Sequence, residues 1–408
     1  MNLVIVCGQY SRGNGGSSSL IDLSKAAEQL GASVDILVTQ QNGTEYVRAV
    51  LGSVLHYRKR RVRKAPFTLQ KRSADRQSFV SQLRRAVDQC NLIECTVFGS
   101  ESVRGKLARA DIILIAGLAT AADFSYLRSV NSTARLVFNH PGSPSAFLTY
   151  WLGNGKSLQS ATERERRRES YARLLAPYDN VLFQSPAQAR ELKNLFPEYS
   201  QKVVVVRPGV EEARLEQILS RPLNTQSPQR LRMITVGSVQ PRKNQIDAVR
   251  ILARLSSQYP NLVLSVVGGV VNKDYGRDVI EEARRLKVEG QIKFYGHRRD
   301  YAELIASSDI LLHTAVAEGV PRVLREAMFL GTPIVASEIS GISDLLIDEE
   351  SAYLFQPGNI DQASKNIARL LDSKADRQFL ADNARTLFDS RHAQDKLVSA
   401  VAENLLFI

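Results

Sequence analysis

The chain has 408 residues, of which 44% are apolar and 24% charged, and this length predicts two domains of roughly 200 residues each rather than one. Its three scattered cysteines exclude a disulfide framework and a zinc site with the usual ligand spacing. The formal net charge is +12, and residues 1–210 contain 29 Lys and Arg against 16 Asp and Glu, which indicates an acidic partner for the first domain.

Twelve short β-branched runs alternate with longer amphipathic segments along the chain. The first, within MNLVIVCG, predicts a strand and lacks the basic leader and cleavage site of a signal peptide. The others are VDILVT, DIILIAG, ARLVFNH, NVLFQS, KVVVV, RMITVG, LVLSVVG, QIKFYG, DILLHT, TPIVAS and AYLFQ. Helical patterns such as residues 246–255 lie between them. This alternation predicts an α/β fold with two doubly wound parallel sheets, each covered on both faces.

The polar segment SRPLNTQSPQR carries two prolines and is the best candidate for a linker between domains. We expect a first domain over residues 1–221, the linker over 222–230, a second domain over 231–388 and a C-terminal helix over 389–408. The longest apolar run, residues 112–122, is too short to span a bilayer, so a soluble, cytoplasmic protein is expected.

The stretch EGVPRVLREAMFLGTPIVAS contains two glutamates eight positions apart, Glu318 and Glu326. Pro321 suits the start of a helix and Gly331 its end, so Glu318 should lie in the turn after the strand DILLHT and Glu326 inside the helix. Open α/β sheets bind ligands at such a turn, and free amides at a helix start suit a phosphate. The amides concerned are those of Gly319, Val320, Arg322 and Val323.

Three further stretches carry candidate site residues. In VGSVQPRKN, Arg242 and Lys243 stand where a helix begins; cations there oppose the helix dipole, so a nearby anion would explain them. In SRGNGGSSS, Gly15 and Gly16 permit close approach to a phosphate, but Ser at position 18 breaks the dinucleotide fingerprint. In VFNHPGS, His140 follows a strand, and a packing role is the alternative to a catalytic one.

Taken together, these stretches closely resemble the family 4 retaining glycosyltransferases, which have the GT-B fold and an E-x7-E motif. The segments QIKFYGHRRD, QSPAQARELKNLF and KVVVVRPGV, and the front stretch GQYSRGNGGSSSLIDLSKAAEQLGASVDILV, extend the similarity. The resemblance implies two Rossmann-like domains facing a cleft, with the nucleotide sugar on the second. It also implies that the C-terminal helix over 389–408 crosses back to the first domain. It also implies that Glu318 contacts the donor sugar, with His140 nearby, and that Glu326 contacts the ribose. Arg242 and Lys243 would neutralise the diphosphate, although Ser238 stands where many members carry Arg.

The implied activity is retaining transfer from a nucleotide-sugar donor to a hydroxyl of a glycan, lipid-linked or acidic acceptor, with no cofactor. The sequence contains no D-x-D, so we expect basic side chains rather than a bound metal to hold the diphosphate. Two alternatives stay open, namely a nucleotide-sugar epimerase on a similar scaffold and a nucleotide-binding protein with a degenerate site.

The run RKRRVRK, from Arg58 to Lys64, has six cations in seven positions and apolar flanks. Such a run fits an anionic membrane surface, which would make the protein membrane-peripheral. The alternative is that the run is a solvent-exposed surface with no binding role. Nucleic acid is an unlikely partner, because no recognised nucleic-acid motif accompanies the charge.

Overall fold

The protein, studied as a computed structural model, is described over residues 1–7, 15–39, 91–95, 101–116, 127–148, 160–221 and 231–407. Within these ranges the chain forms a seven-stranded and a six-stranded sheet. The basic run 58–64 and the expected linker 222–230 lie outside the described residues.

The seven-stranded sheet has the strand order β3-β2-β1-β4-β5-β6-β7. Its strands are β1 (Asn2–Cys7), β2 (Ser33–Thr39), β3 (Asn91–Cys95), β4 (Ile112–Ala116), β5 (Arg135–Asn139), β6 (Asn180–Phe183) and β7 (Val203–Val205). The neighbours from β3 to β6 pair in parallel. The helices between its strands are α1 (Gly15–Gln29), α2 (Glu101–Ala108), α3 (Ala161–Leu175) and α4 (Pro186–Leu195). Helix α5 (Glu212–Leu219) follows β7, and its Leu215 and Ile218 pack into the core of the six-stranded sheet.

The six-stranded sheet has the order β10-β9-β8-β11-β12-β13, and its pairs are parallel. Its strands are β8 (Arg232–Val236), β9 (Val263–Val267), β10 (Ile292–Gly296), β11 (Ile310–His313), β12 (Ile334–Ser337) and β13 (Tyr353–Phe355). This is the doubly wound order in which the chain reverses direction across the sheet after its third strand. The prediction of two doubly wound α/β sheets is therefore confirmed.

In the second half one helix follows each of the first five strands, and three helices follow the last strand, β13. These eight helices are α6 (Gln245–Leu255), α7 (Lys273–Arg285), α8 (Tyr301–Ala306), α9 (Arg322–Leu330), α10 (Ser340–Ser343), α11 (Ile360–Asp372), α12 (Lys374–Arg391) and α13 (Gln394–Val401). The helix expected over residues 246–255 is α6, which begins one residue earlier.

Strand β11 shows why these strands read as unbroken apolar runs. Ile310 and Leu312 pack into one hydrophobic cluster, whereas Leu311 packs into a second cluster on the opposite face. Successive side chains of a strand point to opposite faces, so a strand buried on both faces must be apolar at every position. All three side chains are fully buried.

The chain divides into two compact units. Unit 1 comprises Met1–Tyr10, Ser24–His140 and Thr162–Leu182, and unit 2 comprises Ser11–Leu23, Pro141–Ala161 and Phe183–Ile408. The C-terminal turn Ala402–Leu406 contacts β7, but both belong to unit 2. The expected domain boundaries and the expected return of residues 389–408 to the first domain stay predictions.

Candidate active site

The six-stranded sheet changes direction between β8 and β11, so the loops after these two paired strands leave its carboxyl edge side by side. The loop after β8 contains Arg242 and Lys243 within a 3-10 turn, Pro241–Lys243. The loop after β11 contains Glu318 and leads into α9. The structure thus brings three of the expected site residues to the place where this kind of sheet binds ligands.

Glu318 is the centre of a buried charge cluster, and its side chain is only 8% exposed. Its Oε2 lies 3.1 Å from Nη1 of Arg242, and its Oε1 forms an ion pair with Nζ of Lys243. Nε2 of His313, at the end of β11, lies 3.6 Å from the same Oε1. The carboxylate is therefore held between two cations and a buried imidazole.

The charges in this cluster determine its protonation. Burial alone would raise the pKa of the Glu318 carboxyl, but the charges of Lys243 and Arg242, with a further contribution from His313, hold that pKa well below its usual range. Burial lowers the pKa of His313, and the positive charge of Lys243 acts in the same direction. At neutral pH the cluster consists of an ionised Glu318, a neutral His313 and two basic side chains.

Hydrogen bonds to main-chain carbonyls join the two loops. Thr314 donates a hydrogen bond from Oγ1 to the carbonyl of Lys243 at 3.1 Å. The amide of Val316 donates to the carbonyl of Arg242 at 2.9 Å. In the other direction, Nη1 of Arg242 donates to the carbonyl of Ala317 at 3.1 Å. The ion pairs of Glu318 therefore lie on two loops that are also joined by three hydrogen bonds to main-chain carbonyls.

Two glycines make room for this arrangement. Gly237 has φ +155°, and a Cβ there would lie 3.2 Å from Cε of Lys243, so the glycine lets the lysine side chain pass. A Cβ on Gly341, in α10, would lie 1.5 Å from the carbonyl oxygen of Gly319. The backbone that follows Glu318 is thus packed directly against α10, and no side chain fits between them.

Helix α9 begins at Arg322, one residue after Pro321, and no side chain caps its start. Uncapped amides at a helix start suit an anion, and the assignment of Gly319, Val320, Arg322 and Val323 to a phosphate stays a prediction. The side chains of the two valines pack into the apolar core. The helix ends at Gly331 with φ +73°, as the sequence predicts.

Glu326 lies inside α9 and is 1% exposed. Its Oε1 accepts hydrogen bonds from Nε of Arg322 at 2.9 Å and from the hydroxyl of Tyr301 at 2.8 Å. Arg322 also donates from Nη1 to Oδ2 of Asp22 at 3.0 Å. Glu326 is therefore not a solvated helix charge but the centre of a second buried polar cluster.

Two expected site features lie away from these clusters in the sequence. His140, in unit 1, is fully buried; its Nε2 and the Tyr171 hydroxyl lie 2.7 Å apart and share a hydrogen bond. Gly15 and Gly16 form the first two positions of α1. The roles assigned to these three residues from the resemblance stay predictions.

Sequence reasoning missed His313, Tyr301 and Asp22. His313 is the last residue of an apolar strand and directly precedes the loop that carries Glu318. That place in the sequence is the signal from which its role could have been predicted. Asp22 lies 300 positions from Arg322 in the chain, so nothing in the local sequence around either residue indicates the pair.

In the part of the chain that the structure describes, no three or more His, Cys, Asp or Glu side chains come together in a way that could hold a metal ion. Among the same residues, no helix is both long and apolar enough to cross a bilayer.

Comparison with known proteins decides the family. Residues 13–214 match the model of Glycosyltransferase Family 4, and residues 220–387 match the model of Glycosyl transferases group 1. The chain belongs to the family 4 glycosyltransferases. Its two sheets are those of the GT-B fold, since a structure of the Anabaena protein HepE, solved in complex with UDP and glucose, superposes with a TM-score of 0.70 at 18% identity over 98% of both chains.

The relatives of this chain include proteins whose names refer to different glycans, glycogen and lipopolysaccharide. The glycogen synthase of Mycobacterium tuberculosis is 27% identical over 237 residues, which cover 56% of this chain. The lipopolysaccharide glucosyltransferase WaaG of Escherichia coli is 30% identical over 161 residues, which cover 39% of it. The chain spans about half the length of the relatives that it matches, 54% of the synthase and 42% of WaaG.

Proposed function

We propose that the chain transfers a sugar from a nucleotide-sugar donor to an acceptor hydroxyl, with retention and without a metal. The observation that carries this proposal is the cluster of Glu318, Arg242 and Lys243 at the point where the six-stranded sheet changes direction. A diphosphate needs positive charge and a sugar needs hydrogen-bond acceptors, and this cluster offers both. HepE, which shares the fold, was solved with UDP and with UDP-glucose.

In this proposal the bond between the anomeric carbon and the phosphate oxygen breaks as the acceptor oxygen bonds on the same face of the sugar. The acceptor proton passes to the departing phosphate oxygen. Arg242 and Lys243 stabilise the negative charge that grows on the diphosphate, and charge stabilisation of this kind is commonly a large contribution to catalysis. Glu318 holds the sugar, Glu326 holds the ribose, and the amides at the start of α9 face the phosphates.

The deciding experiment offers UDP-, GDP- and ADP-sugars, beginning with UDP-glucose, together with glycan and lipid-linked acceptors. Transfer with an unchanged anomeric configuration, read by NMR, supports the proposal. Turnover of the donor with no acceptor present indicates an epimerase-like enzyme instead. Nucleotide binding without turnover for any acceptor indicates a degenerate binding protein. This alternative remains because Ser238 stands where many family members carry Arg.

Replacing Glu318 and replacing Glu326 should affect different quantities, turnover in the first case and nucleotide affinity in the second. Glu318→Ala removes a contact that tightens in the transition state, and losing such a contact costs about 3 kcal/mol, roughly a hundredfold in kcat. Glu326→Ala should act mainly on nucleotide affinity. Calorimetry with the free nucleoside diphosphate distinguishes them, and a larger loss of affinity for Glu318→Ala than for Glu326→Ala would reverse the roles.

We further propose that the acceptor is glycan, lipid-linked or acidic, and that the chain works on the cytoplasmic side of a membrane as a peripheral protein. The basic first half supports this, with 29 Lys and Arg against 16 Asp and Glu in residues 1–210. We expect the protein to sediment with anionic vesicles, to ignore neutral ones and to be released by salt. Replacing residues 58–61 with Ser should abolish sedimentation and leave nucleotide binding intact. If this variant and the parent sediment equally, the basic run does not bind the membrane and is an ordinary solvated surface.

A further inference from the structure

The two oxygens of the Glu326 carboxylate have different surroundings. Oε1 accepts two hydrogen bonds, one from Arg322 and one from Tyr301. Oε2 is buried and has no hydrogen-bond partner among the described residues. A buried acceptor without a donor is costly, and in a binding site a hydroxyl of the ligand can remove that cost. Because Oε2 is covered, a ligand reaches it only when the side chains around it move.

Arg322 alone does not fix the carboxylate. Its guanidinium is shared, with Nε on Glu326 and Nη1 on Asp22. Tyr301 has one hydroxyl proton, and it donates that proton to Glu326. The phenol therefore determines which oxygen of Glu326 is occupied and which is left for a ligand.

Tyr301 is itself held in place. It is the first residue of α8, and the guanidinium carbon of Arg214 lies 5.3 Å from its ring centroid. Arg214 in turn donates to the carbonyl of Arg299 at 3.2 Å. Burial, followed by the nearby charge of Glu326, raises the pKa of Tyr301 to about 12, so the hydroxyl keeps its proton and remains a donor at any physiological pH.

We propose that Tyr301 is a positioning residue for the donor nucleotide, which occupies Oε1 of Glu326 so that Oε2 is left to accept a ribose hydroxyl. This inference rests on the proposed function, because it requires a nucleotide in the site. Without the phenol hydroxyl, the carboxylate is free to rotate and to offer both oxygens to the fork-shaped guanidinium of Arg322. Oε2 would then be lost to the ligand. The site should consequently favour a ribonucleotide over its 2′,3′-dideoxy form, which has no ribose hydroxyl to donate to Oε2.

Tyr301→Phe is the direct test, because it removes the hydroxyl and keeps the ring beside Arg214. Calorimetry first compares UDP, GDP and ADP on the parent, and the tightest binder is used throughout. We expect Tyr301→Phe to raise its Kd about fivefold to tenfold, as for the loss of one hydrogen bond. In turnover, KM for the donor should rise by a similar factor while kcat stays unchanged.

A matched control is Tyr259→Phe. The Tyr259 hydroxyl donates to Oδ1 of Asp372 at 2.8 Å, and burial, followed by that hydrogen bond, raises its pKa to about 12. It is thus a second phenol bound to a carboxylate, but its partner is at the end of α11. Tyr259→Phe should lower the melting temperature about as much as Tyr301→Phe and leave the nucleotide Kd unchanged.

Two further measurements separate positioning from a merely structural role. In a Glu326→Ala background, Tyr301→Phe should cause no additional loss of affinity. With the 2′,3′-dideoxy form of the nucleotide, the parent and Tyr301→Phe should bind equally. An unchanged Kd for Tyr301→Phe, or the same loss in the Glu326→Ala background, would overturn the inference while leaving the proposed function standing. A parent that binds none of the three nucleotides would overturn both.

Discussion

Gly341→Ala tests whether the backbone that carries Glu318 determines activity. The added Cβ would lie 1.5 Å from the carbonyl oxygen of Gly319 and 2.9 Å from that of Glu318. Since real Cβ atoms essentially never approach closer than 3.0 Å, this backbone or α10 must move by about 1.5 Å. A misplacement of about 1 Å can cost on the order of a hundredfold in rate, so we expect kcat/KM to fall by at least that factor.

The assay pairs turnover with a measure of folding. Overpacking of this kind costs about 1–3 kcal/mol, so Gly341→Ala should remain folded at low temperature, with a reduced midpoint in urea. Gly290→Ala is the control, because a Cβ there meets nothing within 4 Å. If Gly341→Ala folds and keeps turnover within threefold of the parent, the position of the loop after β11 does not limit the reaction and the reasoning is wrong.

Three other predictions concern the charges of the molecule. Lys243→Met leaves the buried Glu318 with Arg242 as its remaining cation and should destabilise the protein by about 3–5 kcal/mol. The double variant Lys243→Met, Glu318→Gln should recover most of this loss, measured by urea unfolding at pH 7. Strictly additive losses of the two single variants would contradict the ion pair. Burial, followed by the charge of Arg325, lowers the pKa of His392 from 6.5 to about 3. Between these two pH values the unfolded chain binds a proton at this histidine and the folded chain does not. The free energy of unfolding therefore decreases as the pH is lowered below about 6.5. His392→Gln should reduce the loss between pH 7 and pH 5.5 by about 1 kcal/mol, and parallel curves for parent and variant would contradict it. Turnover should persist in excess chelator, because the basic pair supplies the charge for the diphosphate; complete loss restored by Mg²⁺ or Mn²⁺ would refute a metal-free site.

Apolar periodicity made most of the fold predictable. All twelve predicted runs form strands. Most of them are buried on both faces and must therefore be apolar, whereas β10 and β7, at sheet edges, are more exposed. The thirteenth, β3, was missed. Its five residues, NLIEC, include Asn91 and Glu94, and the strand lies at the edge of its sheet, where the demand for apolar side chains is weaker. Strand order could not be predicted, since it depends on pairings that local patterns do not specify.

The candidate site was predictable where its signals are local. Glu318, Arg242 and Lys243 each follow an apolar strand, so their place at the sheet edge follows from the sequence. Their mutual ion pairs do not, because they join loops about 75 positions apart. The environment of Glu326 was equally hidden: its spacing within α9 indicated a helix but not that Tyr301 and Arg322 bury it.

The family resemblance implied that Arg242 and Lys243 bind a diphosphate, whereas the structure pairs both with Glu318. The two assignments are compatible if the donor exchanges partners within the cluster. In the proposed reaction the diphosphate takes the two cations, and the carboxylate that they released has lone pairs for the hydroxyls of the sugar. The same buried cations would then lower the pKa of Glu318 before binding and stabilise the leaving group afterwards. On this reasoning Glu318 competes with the diphosphate, so Glu318→Gln should bind the free nucleotide at least as tightly as the parent while losing turnover.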